Sequence, residues 1–292
     1  MMNLTLRQLR LFESIARLGT LTRAANEQAI SQSAASQALK ELEGGLGYGL
    51  FHRVGRELVL SEAAQAVLPR VQQLLALADG LGDPSGAAMG GPLRLAASVT
   101  IASYLLPWLL ARFLDRHPAV EPAVRISNTA GVMRELEQGW AHLGLIEGPA
   151  QHRQLQLTPW RTDRLVVFCR PDHPLVGQGP VSLGTLAQAN WVVREEGSGT
   201  RRVLDDAAAK LGLPLKVALA LNRQEAIKQS VKAGLGIGCL SELSVAQEVA
   251  RGELCQLATP LPLTRTFSLV SWPDERQPPL VRALLAFLQA EG

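Results

Sequence analysis

Apolar positions recur at helical spacing three times within residues 1–46. Leu6, Leu9, Phe12, Ile15 and Ala16 share one face of a first amphipathic helix, which Gly19 ends. Thr20 is a suitable N-cap for a second helix through Ala24 and Ala25, whose small side chains allow another helix to approach closely. Ser31 caps a third helix, with Ala35, Leu39, Leu42 and Leu46 on its inward stripe. The opposite stripe is polar: Ser33, Ser36, Gln37 and Lys40, with Gln32 in the first turn. Leu50–Arg53 and Leu58–Leu60 then flank Val54-Gly55-Arg56, a pattern that predicts a β-hairpin with Gly55 supplying a positive φ at the turn.

From Ser61 a long helix runs to about Leu81. Val67, Val71, Leu74, Ala78 and Leu81 step by 4, 3, 4 and 3 along it, and Leu68 and Leu75 form a second stripe beside them. This heptad-like seam predicts a homodimer contact, the alternative being a helix packed on its own domain. Pro69 lacks the N–H that would bond the carbonyl of Gln65 and should kink the helix. Residues 82–92, GDPSGAAMGGP, show no periodicity and predict a hinge.

Beyond residue 92 the period alternates. Strands are expected at 93–97, 124–127, 143–146, 165–169, 191–194, 217–221, 236–240 and 267–271. Helices are expected at 101–116, 131–140, 199–211, 223–233, 241–251 and 278–290. Such alternation implies α/β layers with largely parallel sheets.

Composition narrows the function classes. The chain has 292 residues, 47% hydrophobic and 19% charged, long enough for two or three domains. No apolar run reaches membrane-helix length and no export signal opens the chain, so a cytoplasmic location without membrane association is expected. Cys169, Cys239 and Cys255 are scattered, as reduced buried thiols would be, and no metal or cofactor is expected. A net charge of +3 permits nucleic-acid binding without establishing it. Enzyme signatures are missing: GSGT lacks the GxSxG spacing, GLGIG at 234–238 is not GxGxxG, and His52, His117, His142, His152 and His173 show no paired spacing.

The chemistry concentrates in two places. On the third helix, Gln32, Ser33, Ser36 and Gln37 can exchange hydrogen bonds with base edges, while Lys40 can neutralise a phosphate. Arg53 and Arg56 on the hairpin are placed to reach phosphates or a minor groove. Helix, turn, helix and hairpin together describe a winged helix-turn-helix whose partner is double-stranded promoter DNA. In the α/β part, ligands bind beyond the carboxyl ends of strands, at helix starts. That rule selects Ser98, Thr100 and Ile101 after the first strand, Asn128 after the second and Glu147 after the third. It also selects Ser198, Gly199 and Thr200 in GSGTRR, and Asn222.

The segments GTLTRAA, ISQSAASQALKELE and LGYGLFHR resemble the N-terminal domain of LysR-type transcriptional regulators, and the rest of the chain resembles their architecture. The resemblance implies a winged helix-turn-helix at 1–60 and a linker helix at 61–81. It further implies a two-lobed, periplasmic-binding-protein-like α/β effector domain, with lobe 1 at 93–162 and 267–292 and lobe 2 at 163–266. Homodimers or dimers of dimers follow from it, with RNA polymerase a further candidate partner. This chain departs from the family where Gln28 stands for a leucine, Ser33 and Gly49 for prolines, Ala35 for a valine and Ala64 for a glycine. Gln28 and Ala35 are expected to thin the small core.

LRLAASVTIASYLLPWLLARF, LGLIEGP, LVVFCRPDHPL, REEGSGTR and NRQEAIKQSVKAGLGIGCLS resemble the LysR-type branch linked to sulfur metabolism and small oxyanions such as sulfite and sulfate. The implied effector is an inorganic oxyanion or small organic acid. Glu147 stands against that unless it is protonated or paired with Arg or Lys, so a regulator with a non-anionic effector remains an alternative. A cytosolic anion-binding protein without a regulatory role is another, and it leaves the first eighty residues unexplained.

Overall fold

Three helices open the chain: α1 (Leu6–Leu18), α2 (Leu21–Glu27) and α3 (Gln32–Leu46). The computed structural model describes residues 4–55, 57–80, 90–273 and 277–292. Thr20 and Ser31 cap α2 and α3 through their side chains, and Thr5 caps α1 in a reciprocal pair with Gln8. Ala35 is wholly buried against Leu11, Ile15, Ala24 and Ala25. Gln28 does not thin this core. It sits at the C-cap of α2 and its amide donates to Ser14 Oγ at 2.9 Å, so a polar side chain has a partner there.

The hairpin is β1 (Phe51–Val54) and β2 (Glu57–Leu60), paired antiparallel. α4 (Glu62–Gly80) continues through Pro69. Its predicted seam divides: Val71 is buried with Leu9, Phe12 and Leu42 of its own chain, as are Leu68 and Leu75 of the second stripe, and Val67 packs against the same core, whereas Leu74 is 53% exposed. The second apolar stripe therefore belongs to an intrachain core, and Leu81 lies outside the described residues. Residues 82–89 of the expected hinge also lie outside them, and Gly91 and Pro92 belong to β3.

Lobe 1 is built from β3 (Gly91–Ser98), α5 (Val99–Tyr104), α6 (Leu106–Arg116), β4 (Val120–Ser127), α7 (Thr129–Glu137) and β5 (Leu143–Glu147). The single helix expected over 101–116 is broken at Leu105, because Pro107 fits the first turn of a helix but not its interior. The long strand β6 (Gln156–Cys169) then carries the chain across. In lobe 2 follow α8 (Leu183–Gln188), β7 (Asn190–Arg194), α9 (Gly199–Lys210), β8 (Lys216–Leu221), α10 (Gln224–Lys232), β9 (Ile237–Ser241), α11 (Glu242–Ala250) and β10 (Cys255–Leu257). β11 (Thr264–Ser271) returns to lobe 1, where α12 (Pro279–Ala290) ends the fold.

The strands share one sheet of order β4-β3-β5-β11-β6-β9-β7-β8, with β10 on β6. Parallel pairing holds within each lobe, whereas β6 and β11 run antiparallel to each other and to their neighbours β9 and β5. Residues 156–164 of β6 pair with β11, and residues 165–168 pair with β9, so one strand serves both lobes. Each lobe buries one apolar cluster on either face of its sheet. Among the described residues no helix is long and apolar enough to cross a membrane. Burial pushes the Cys169 and Cys239 thiols up to about 11 and about 12. Cys255 is half-buried opposite Cys169.

Candidate DNA-reading face and effector cleft

α3 presents Gln32, Ser33, Gln37 and Lys40 to solvent, with Ser36 half-buried beside them. Ser31 and Ser33 hydroxyls lie 3.0 Å apart, which orders the first turn. The face is less free of acid than its spacing suggests: Gln37 Nε2 donates to Glu41 Oε1 at 3.0 Å one turn on. To read a base, that amide must exchange this bond for one to DNA. Arg53 is exposed on β1, and Arg56 lies outside the described residues.

The two lobes close on a buried guanidinium. Arg265, on β11, donates Nη1 to Thr200 Oγ1 at 2.8 Å and Nη2 to Thr100 Oγ1 at 3.3 Å. Its Nε donates to Asp163 Oδ2 at 2.6 Å, and its Nη2 stands 2.8 Å from Glu147 Oε2. The Glu147 contact is an ion pair without hydrogen-bond alignment, which leaves both carboxylate oxygens without a hydrogen-bond partner. Thr100 Oγ1 also accepts from Gln224 Nε2 at 2.8 Å. The arrangement is nearly symmetric: Ser98-Val99-Thr100 opens α5 of lobe 1 and Ser198-Gly199-Thr200 opens α9 of lobe 2. In both, the threonine meets Arg265, while the serine is buried at the N-cap with a hydroxyl that neither caps the helix nor bonds elsewhere.

Other contacts hold the lobes together. Asn128 caps α7 through Gly131 N and donates to Glu195 Oε1 at 3.0 Å across the cleft, and Ala130 N donates to the Gly197 carbonyl. Burial acts against ionisation of Glu195, yet hydrogen bonds from Arg194 and Asn128 hold its carboxyl below the ordinary range. Arg194 is fully buried and keeps Nη1 unpartnered. Gly199 lies so close to lobe 1 that a Cβ there would sit 1.6 Å from the Glu147 carbonyl oxygen.

Comparison with known proteins decides what these two parts belong to. Residues 6–65 match the family described as bacterial regulatory helix-turn-helix protein, lysR family, and residues 86–292 match the LysR substrate binding domain. The chain belongs to the LysR family of transcriptional regulators. It is 39% identical over 288 residues to the HTH-type transcriptional regulator YeiE of Escherichia coli, covering 98% of this chain and 97% of that one. The regulatory domain of CcmR from Synechocystis, solved with 2-PG, superposes with a TM-score of 0.64 at 29% identity over 69% of this chain and 97% of its own. Full-length OxyR from Pseudomonas aeruginosa has the same fold, with a TM-score of 0.75 at 23% identity over 99% of this chain and 94% of its own. The LysR-type regulator is thus a DNA-binding protein with an effector domain, and not an enzyme.

Most effector positions expected from the sequence gather at one place, but two do not. Ile101 is buried in the apolar core of lobe 1 with Phe113 and Leu284, because the helix turn after Thr100 points it inward. Asn222 is exposed, and Gln224, two residues on, reaches the cleft instead. Gly199 contributes backbone approach rather than a side chain. Sequence reasoning missed Arg265, Asp163, Gln224 and Arg194. Arg265 had a signal: in TRTFSLV it alternates in phase with the core residues Phe267 and Leu269, an unusual place for a guanidinium.

Proposed function

We propose that this LysR-type regulator senses a small anion, an inorganic oxyanion such as sulfite or sulfate or a small organic acid, bound between its two lobes. The observation that carries this reading is the matched pair of Ser-x-Thr helix starts facing one buried guanidinium. Unpartnered Ser98 and Ser198 hydroxyls and the free N–H groups of the α9 start suit a compact anion. Arg265 supplies the counter-charge, which it shares with Glu147 and Asp163. An entering anion exchanges with Glu147 for the guanidinium, which makes binding sensitive to ligand charge and size.

In this reading promoter DNA is read by Gln32, Ser33, Ser36 and Gln37 on α3, with Lys40, Arg53 and Arg56 on phosphates. The regulator acts in the cytoplasm as a dimer or dimer of dimers, and anion binding shifts the lobe angle and hence the spacing of the reading helices. A thermal-shift series with sulfite, sulfate, phosphate and small carboxylates tests it. Saturation at about 100 times the dissociation constant adds about 2.7 kcal/mol. If every anion leaves the midpoint unchanged while an amine-bearing compound raises it, the ligand is a cation held by Glu147.

A further inference from the structure

Away from the cleft, lobe 1 and the DNA-reading domain of the same chain meet along a polar seam. Arg94 of β3 donates Nη2 to Glu13 Oε1 of α1 at 2.6 Å and Nε to the Trp140 carbonyl at 2.7 Å. The two charged side chains are only 14% and 11% exposed. Glu13 also faces Arg17 at 3.5 Å; Arg17 and Ser14 both bond to Glu27 at the end of α2, and Gln28 donates to Ser14. A continuous ionic chain thus runs from the effector lobe through α1 to the end of α2. Beside it, Gln72 of α4 donates Nε2 to the Gly139 carbonyl at 2.7 Å. Leu68 of α4 presses on Gly139 so closely that a Cβ there would lie 2.0 Å from Leu68 Cδ2.

Two elements that make this seam also reach the cleft. Arg94, Ala96 and Ser98 alternate onto one face of β3, so the strand joins the seam to an unpartnered cleft hydroxyl. α7 begins at Asn128, bonded to Glu195 of lobe 2, and its nine residues span about 13 Å before the chain reaches Gly139. α7 therefore lies between the inter-lobe bond at Asn128 and the α4 contact at Gly139. The His142 imidazole accepts the Arg94 backbone N–H and, kept neutral by burial and by Arg94, does not compete for Glu13.

We propose that Arg94–Glu13, with Gln72–Gly139 beside it, is a same-chain latch that seats the DNA-reading domain on lobe 1 when the lobes are closed and frees it when they part. A largely buried ion pair contributes little net stability but tolerates few alternative geometries, which suits a latch better than a glue. Gln28, bonded to Ser14 and through it to Glu27, is then joined to the seam. The latch concerns the path from cleft to DNA reader and holds whatever the effector is.

Hydrogen exchange on the full chain, read by mass spectrometry without ligand, tests it. Glu13→Arg and Arg94→Glu each place like charges together, and exchange in α1 and in residues 139–142 should accelerate by about tenfold or more. The double variant carrying both reversals should recover part of the protection that either single reversal loses, the remainder going with the Arg17 and Trp140 contacts, and a role confined to one domain would produce no such recovery. Should a reversal not fold, Glu13→Gln and Arg94→Gln remove one partner each with the same expected direction. Gly199→Ala, which forces the lobes apart, should loosen the same two segments although it touches neither. Wild-type exchange in the single reversals, or a double reversal no better protected than either single one, overturns the latch. Unchanged exchange there in Gly199→Ala overturns its link to lobe closure.

Discussion

Arg265 Nη2 stands 2.8 Å from Glu147 Oε2, with the two side chains 0% and 1% exposed. Glu147 therefore has a cation beside it, but it shares that cation with Asp163, so the buried cluster holds two acids around one guanidinium. Taking Arg265 away leaves Glu147 and Asp163 buried without a counter-charge, so Arg265→Met should lower stability by about 3–5 kcal/mol in urea unfolding. Glu147→Gln should lower it by less, since Asp163 still holds the guanidinium, and should tighten anion binding in the thermal-shift series.

Thr100 and Thr200 accept from Arg265 on opposite sides. Replacing both by valine keeps their shape and removes both acceptors. Effector response should be lost while basal DNA binding, measured by gel shift on the gene's own upstream region, is retained. Response that survives in the double variant would place the effector elsewhere.

His142 has a pH signature. Burial, with Arg94 adding to it, depresses its pKa from 6.5 to about 3. The folded chain keeps the imidazole neutral while the unfolded chain takes up a proton below pH 6.5. Stability contributed by this group is therefore complete above pH 6.5 and falls as pH drops toward 3, by about 1.4 kcal/mol per pH unit at most. His142→Asn should flatten that limb of the stability curve measured by urea unfolding.

On the DNA side, Gln32 and Lys40 are both exposed on α3 but differ in chemistry. Gln32→Ala should change preference between operator sequences by about 1–3 kcal/mol at one base position. Lys40→Ala should weaken binding to every sequence and reduce the slope of affinity against salt by about one unit. Competition binding at several salt concentrations separates the two.

The residues show why some of this was legible in the chain and some was not. Thr20, Ser31 and Gly19 mark helix ends through bonds to residues three or four positions away, so the helix-turn-helix could be read locally. Ser98, Thr100, Ser198 and Thr200 were legible because a strand end followed by a helix start places polar groups at a sheet edge in any α/β fold. The break at Leu105 was missed because the apolar period runs on through it, and only the position of Pro107 betrays it.

Periodicity and short-range capping thus revealed most of the elements, the winged reader and the two hydroxyl-bearing helix starts, but not α8, β10 or the first half of β6. Only in the folded chain does Arg265 come to sit between those starts, Gln224 rather than Asn222 enter the cleft, and Arg94 hold Glu13. Thr100 and Arg265 are 165 positions apart, and Arg94 and Glu13 are 81 apart. Pairings over such separations are set by how strands cross and lobes close, and no local propensity encodes them.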